Sequence, residues 1–156
     1  MTNPLGQYEK WASYVIGERL LEVKGVIYFF ETPDLEHPQK LQLIFSNTEK
    51  AFSFRCGKDG STLELTDSPV QENDLGEYGK EIIMDISSSM SFVDYIGKPL
   101  LKFYSIFSSI EDAYIGVKLV FDGDLNLIVL NIGDEINIFG SLSSCGNDDD
   151  IKYQEL

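Results

Sequence analysis

Residues 114–139, YIGVKLVFDGDLNLIVLNIGDEINIF, constrain the fold more than any other stretch of the chain. Large apolar side chains recur at every second residue over 117–121, where Lys118 and Val120 lie between them. They run nearly unbroken over 125–130 and alternate with Asn137 over 136–138. Such alternation is typical of β-strands. Two short breaks separate the runs, and each contains a glycine that can take the positive φ of a tight turn. We therefore expect a three-stranded antiparallel meander that acts as a scaffold.

The segments before this meander predict a mixed fold. Residues 5–16 place apolar side chains at helical spacing, with Trp11 as the expected core anchor. Four β-like runs with short connections follow between residues 19 and 66, which favours antiparallel pairing. The predicted class is therefore α+β. An N-terminal amphipathic helix packs on a mainly antiparallel, meander-type β-sheet, and a second short helix lies near residues 90–97, where Ser91 could cap it and Gly97 could end it.

Length and composition predict one domain followed by an acidic end. A chain of 156 residues with 43% hydrophobic content can bury a sizeable core. We assign residues 1–141 to a single α+β domain. Residues 142–156 begin with small polar residues and three consecutive aspartates, a composition typical of a mobile tail.

The charge balance favours a basic protein over nucleic acid as the partner. Twelve Lys and Arg stand against 26 Asp and Glu, which gives a formal net charge of −14. Direct binding to nucleic acid is disfavoured because phosphate attraction needs clustered basic residues, whereas a basic protein would be attracted. The sequence has neither an apolar run long enough to span a membrane nor a signal peptide at its amino terminus. We therefore expect a cytoplasmic protein with no membrane contact.

Catalytic and metal-binding motifs are weak in this sequence. His37 is the only histidine and no nucleophile motif accompanies it, so we predict a surface residue. Cys56 and Cys145 have neither disulfide nor metal-ligand spacing, and we predict free thiols. Asp122 and Asp124 begin an EF-hand-like pattern that lacks its glycine and its final carboxylate, so turn chemistry explains them better. We predict no catalytic residue, no metal and no cofactor.

The acids of one long loop and of the meander turns remain as candidates for binding. A loop as long as residues 67–79 is either functional or disordered, and the sequence leaves both open. If turns at one end of the sheet lie near this loop, a concentrated negative face would steer a basic partner towards it. The predicted partner-binding residues are Asp67, Glu72, Asp74, Glu77, Glu81, Asp122, Asp124, Asp134 and Glu135.

In general character the chain resembles the small acidic immunity proteins of bacterial polymorphic-toxin and contact-dependent growth inhibition systems. The resemblance lies in the N-terminal amphipathic helix, the meander ending in FDGDLNLIVLNIGDEINIF, and strong acidity without catalytic residues. It implies binding and neutralisation of a cognate basic toxin domain, with a nuclease as the expected toxin. The toxin's active site could be blocked directly or locked from elsewhere.

The sequence leaves open two alternatives to the immunity function. It also leaves the oligomeric state open. One is a small-ligand-binding domain with a pocket between helix and sheet, which requires a partly apolar cavity with convergent polar groups. The other is an enzyme of unrecognised type, which requires a cleft that gathers several acids with shifted pKa values.

Overall fold

One α-helix and twelve β-strands make up the part of the chain that the computed structural model describes, residues 3–140 and 150–156. In chain order they are α1 (Leu5–Val15), β1 (Leu20–Phe30), β2 (Thr32–Pro33), β3 (Lys40–Phe45), β4 (Phe52–Cys56), β5 (Leu63–Thr66), β6 (Asn73–Asp74), β7 (Lys80–Asp85), β8 (Leu100–Ser108), β9 (Ala113–Phe121), β10 (Leu125–Ile132), β11 (Glu135–Phe139) and β12 (Ile151–Glu155). Within these described ranges, no helix is both long and apolar enough to cross a membrane.

The strands form two antiparallel sheets. The first sheet has the order β5-β4-β3-β1-β7-β6, and β2 pairs with the end of β1. The second sheet has the order β11-β10-β9-β8-β12. The predicted α+β class is confirmed for the N-terminal helix and the antiparallel pairing, although the strands divide between two sheets.

The expected meander is confirmed as β9, β10 and β11. Residues 122–124 connect β9 to β10, with Phe121 paired to Leu125. The connection between β10 and β11 is only two residues long, Gly133 and Asp134, with φ angles of 60° and 66°. Two successive positive φ angles match the right-handed twist of the flanking strands, so this turn fixes the register of the hairpin.

An aromatic cluster around Trp11 joins the helix to both sheets. The Trp11 side chain is 1% exposed, and its ring lies edge-on to Phe45, Phe54 and Phe103 at centroid distances of 5.7, 5.4 and 5.5 Å. The first two rings come from the first sheet and the third comes from the second. Edge-to-face aromatic pairs add to the free energy gained from burial alone. The prediction of Trp11 as a core anchor is confirmed.

The second short helix predicted near residues 90–97 is wrong. This region contains a single 3-10 turn at Val93–Tyr95, and its N-cap residue is Phe92 rather than Ser91. The chain becomes extended at Ile96, where φ is −64° and ψ is 129°. The backbone N–H of Gly97 then donates to the carbonyl of Leu20 at 2.7 Å, so pairing with β1 replaces a further helical turn.

The last residues of the predicted tail over 142–156 form a strand and are not a mobile end. Residues of β12 pair with β8 along its whole length, from Ile151 opposite Ser108 to Glu155 opposite Tyr104. The rings of Tyr104 and Tyr153 contact each other edge-on at 6.5 Å, and this pairing gives the acidic end a place in the second sheet. The remainder of the predicted tail, residues 142–149 with Cys145, falls outside the described residues.

Candidate functional site

Two of the predicted acids, Glu72 and Glu81, organise the edge of the first sheet. Strand β6 pairs with only the first two residues of β7, so the rest of that edge carries no strand. The carboxylate of Glu72 accepts a hydrogen bond from the backbone N–H of Ile83 at 2.9 Å. The carboxylate of Glu81 accepts one from the side chain of Asn73 at 2.8 Å. Satisfying an edge N–H with a side chain protects the sheet from unwanted pairing, so Glu72 has a structural use of its own.

The other predicted acids of this segment are more open to solvent. Asp67 lies 3.7 Å from the ammonium of Lys50, and such exposed pairs contribute little to stability. Asp74 accepts a hydrogen bond from the backbone N–H of Gly76 at 2.9 Å and so shapes the 3-10 turn that carries Glu77. Glu77 is exposed and forms no ion pair within the described ranges. The predicted acidic loop is therefore a short strand and a turn held by its own carboxylates.

The two turns of the meander lie at opposite ends of β10. Asp122 and Asp124 lie where β9 passes into β10, whereas Asp134 and Glu135 lie where β10 passes into β11. The eight residues of β10 separate these ends by roughly 24 Å at the usual rise per residue of a strand. The nine predicted residues are therefore not gathered on one face.

One cleft does bring three of them together. Glu81, Asp134 and Glu135 line a cavity of about 280 Å³ between the first sheet and the start of β11. His37 lies in the same cleft, with its Nε2 atom 3.7 Å from a carboxylate oxygen of Glu135 and its Nδ1 atom 3.3 Å from the carbonyl of Ile136. The side chain of His37 is 32% exposed. The residue predicted to lie on the surface thus connects the loop between β2 and β3 to the second sheet.

The cysteine of this cleft is poorly suited to nucleophilic chemistry. Burial raises the pKa of the Cys56 thiol to about 11, together with the charges of Asp134 and Glu135. Reactive cysteines have lowered pKa values because the thiolate is the attacking species. Cys56 is a free thiol, as predicted. Across the described ranges, no three His, Cys, Asp or Glu side chains are arranged to hold a metal ion.

A second groove lies at the C-terminal end of β1. Its volume is about 270 Å³, and the acids that line it are Glu31, Asp74 and Glu77. The sequence analysis identified Asp74 and Glu77 as binding residues. It missed Glu31, because this residue was assigned to the end of the predicted strand before Pro33. Residues 29–33, FFETP, contained a usable signal. A strand that ends in a tight turn exposes the polar side chain at the tip of the turn, and Glu31 is that residue. Glu31 occupies this tip with a φ of 65°.

Few of the carboxylates are neutralised by neighbours. The described ranges contain three ion pairs, and one of them depends on protonation of His37. With 26 acidic residues in the chain, most of the negative charge has no basic side chain beside it. Such a surface attracts a basic partner at long range.

Neither a scan against protein-family models nor searches of curated proteins and of solved structures found a match for this chain. The assignment of the candidate site therefore rests on the geometry and charge described above.

Proposed function

We propose that this protein is a non-enzymatic immunity protein that binds and neutralises a cognate basic toxin domain in the cytoplasm. A nuclease is the expected toxin, because a site that attracts phosphate is itself positively charged. The acidic surface would steer the toxin domain into contact, and the contact would keep the toxin from its substrate.

The observation that carries this proposal is the excess of unpaired carboxylates. A formal charge of −14 is accompanied by only three ion pairs in the described part of the chain. Like charges on one surface repel one another and oppose compactness. A basic partner would relieve that repulsion, which gives the charge a use in binding that it lacks in folding.

The cleft at His37 supports the enzyme alternative less strongly than the acidic surface supports the immunity function. Lys40 and Arg55 line it beside the acids, and the Nε atom of Arg55 lies 3.0 Å from a carboxylate oxygen of Glu64. The raised pKa of Cys56 works against a thiolate nucleophile. If the protein acts by binding rather than by catalysis, substitution of His37 by alanine should leave toxin neutralisation unchanged.

The small-ligand alternative is also less well supported. The buried face of α1 is filled by side chains such as Tyr8 and Trp11, which are 0% and 1% exposed. A groove of about 640 Å³ does lie between α1 and the end of β12. Its lining includes the exposed carboxylates of Glu9 and Glu155, whereas ligand pockets are predominantly apolar.

The test is co-expression with a candidate toxin encoded by a neighbouring gene. We expect survival of cells that produce both proteins, a complex that elutes as one species, and an association rate that falls steeply as salt increases. The empty vector gives the background of killing. Absence of both a complex and protection would refute the proposed function.

A further inference from the structure

Three large apolar side chains are exposed around the acidic groove at the end of β1. Phe30 is 51% exposed, Tyr78 is 69% exposed and Leu75 is 39% exposed. Scattered single hydrophobic residues are normal on a protein surface, but a cluster that borders a groove is typical of an interaction site. We refer to Phe30 and Tyr78 as the aromatic patch, and Leu75 lies on the same segment as Tyr78.

Backbone contacts hold the aromatic patch against the groove. The hydroxyl of Tyr28 donates a hydrogen bond to the carbonyl of Tyr78. Gly79 packs so closely on β1 that an added Cβ atom would lie 2.5 Å from the carbonyl oxygen of Phe29 and 3.2 Å from the Cβ atom of Phe30. The 3-10 turn at Gly76–Tyr78 is therefore fixed beside the end of β1, and Phe30 lines the groove from the other side.

The groove is negatively charged and contains one basic residue. Glu31, Asp74 and Glu77 line it together with Lys80. The ammonium of Lys80 lies over the ring of Phe29 at 5.2 Å from the centroid. None of the three carboxylates forms an ion pair within residues 3–140 and 150–156. The exposed ring of Phe30 lines the groove together with these carboxylates, and Tyr78 lies on the 3-10 turn that carries Glu77.

We propose that this groove receives an arginine side chain of the basic partner. The guanidinium plane would stack on Phe30 or Tyr78 while its N–H groups donate to the carboxylates of the groove. Arginine suits this arrangement better than lysine, because its planar fork stacks on aromatic rings and binds carboxylates in a bidentate manner. This inference rests on the proposed function for the identity of the partner, but its chemistry can be tested separately.

The first experiment uses two peptides as probes, one of six arginines and one of six lysines, each with blocked ends. The backbone amide signals of the ¹⁵N-labelled protein are followed by NMR during titration with each peptide. We expect the arginine peptide to bind about threefold to tenfold more tightly, with the largest shifts at residues 29–31 and 74–80. Equal affinity for the two peptides, or shifts spread evenly over all acidic regions, would overturn the inference.

The second experiment removes the aromatic rings. Phe30→Ala and Tyr78→Ala should each weaken binding of the arginine peptide by about threefold to tenfold and leave lysine-peptide binding nearly unchanged. Met90→Ala and Leu101→Ala are matched controls, since these apolar side chains are 95% and 49% exposed elsewhere on the surface. Thermal melting of each variant establishes that it is folded. Unchanged arginine-peptide affinity in both ring variants would refute the role of the aromatic patch.

The two proposals fail in different ways. A protein that prefers the arginine peptide but neither binds nor neutralises the neighbouring toxin has the groove without the immunity function. A protein that neutralises the toxin equally well with and without the rings of Phe30 and Tyr78 has the function without this contact.

Discussion

The ring of Trp11 lies edge-on to the ring of Phe103 at a centroid distance of 5.5 Å, and this contact joins α1 to the second sheet. The same indole also lies edge-on to Phe45 and Phe54 of the first sheet. One side chain therefore holds three structural elements together. Its removal would leave a cavity that neighbouring aromatic rings cannot fill without shifting.

Trp11→Ala should lower the free energy of unfolding by about 3–5 kcal/mol. Chemical denaturation followed by circular dichroism measures this change, because the substitution removes the only tryptophan. Lys10→Ala, at an exposed position of the same helix, is the control and should change stability little. A loss below about 1 kcal/mol for Trp11→Ala would mean that the cluster does not carry the core.

Gly116→Ala should destabilise the meander. An added Cβ atom would clash with the carbonyl oxygen of Val129 and with a side-chain carbon of Leu130, and β9 cannot move away without breaking its pairing with β10. We expect a loss of about 1–3 kcal/mol or more, seen as a lower thermal midpoint. Gly6→Ala is the matched control, since nothing lies within 4 Å of its added Cβ atom. Equal midpoints for the two variants would contradict this close packing.

Neutralising the acidic groove should slow association with the basic toxin domain. The triple change Glu31→Gln, Asp74→Asn and Glu77→Gln should reduce the association rate at low salt by about threefold to tenfold. The salt dependence of the rate should also become shallower, because fewer charges contribute to steering. Stopped-flow fluorescence with a labelled toxin domain measures both quantities.

The control for this experiment removes the same amount of charge elsewhere. Glu9→Gln, Glu49→Gln and Asp94→Asn alter three exposed acids that lie outside the groove and form no ion pair in the described ranges. We expect a smaller effect on the rate from this set. If the two triple variants slow association equally, net charge rather than the groove directs the encounter.

Cys56 should react slowly with thiol reagents. Burial and the charges of Asp134 and Glu135 raise the pKa of its thiol to about 11, so only about 0.1% is thiolate at pH 8, against roughly a quarter of an ordinary cysteine. In a Cys145→Ser background, the alkylation rate at pH 8 should be about a hundredfold or more below that of a model thiol. Asp134→Asn with Glu135→Gln should raise the rate. A rate equal to the model thiol would show that Cys56 is neither buried nor influenced by those carboxylates.

Asp59 should contribute to the pH dependence of stability. The side-chain and backbone hydrogen bonds from Thr62, and the backbone bond from Ser61, hold the pKa of the Asp59 carboxyl below its usual range. A lowered folded-state pKa stabilises the fold above about pH 4, and this stabilisation is lost as the pH falls through the folded-state value. The gap in unfolding free energy between wild type and Asp59→Asn should therefore shrink from pH 6 to pH 3 in urea titrations. A gap that stays constant would exclude the linkage.

The meander illustrates what could be predicted from local sequence. Alternating apolar residues and paired turns indicate strands wherever one face must be buried, and β9, β10 and β11 follow the predicted pattern. Residues 90–97 illustrate the failure of the same approach. Local cap signals favour a helix there, but the hydrogen bond from Gly97 to Leu20 satisfies the backbone in another way.

The candidate site shows the same division. Asp74 and Glu77 could be identified from acidity and loop length, whereas Glu31 reaches the groove only because Phe30 and Thr32 pair across a tight turn. The separation of Asp122 from Asp134 also follows from topology, since successive turns of a meander must lie at opposite ends of the strand between them.

Residue type and local spacing are enough to predict the meander strands, the N-terminal helix, the core role of Trp11 and the strong negative charge, because none of these depends on distant contacts. Three features follow instead from the folded arrangement: which carboxylates share a groove, where His37 contacts the second sheet, and that β12 forms an edge strand of that sheet. These features depend on contacts between residues far apart in the chain, and the pairing of strands in space, rather than their order in sequence, fixes them.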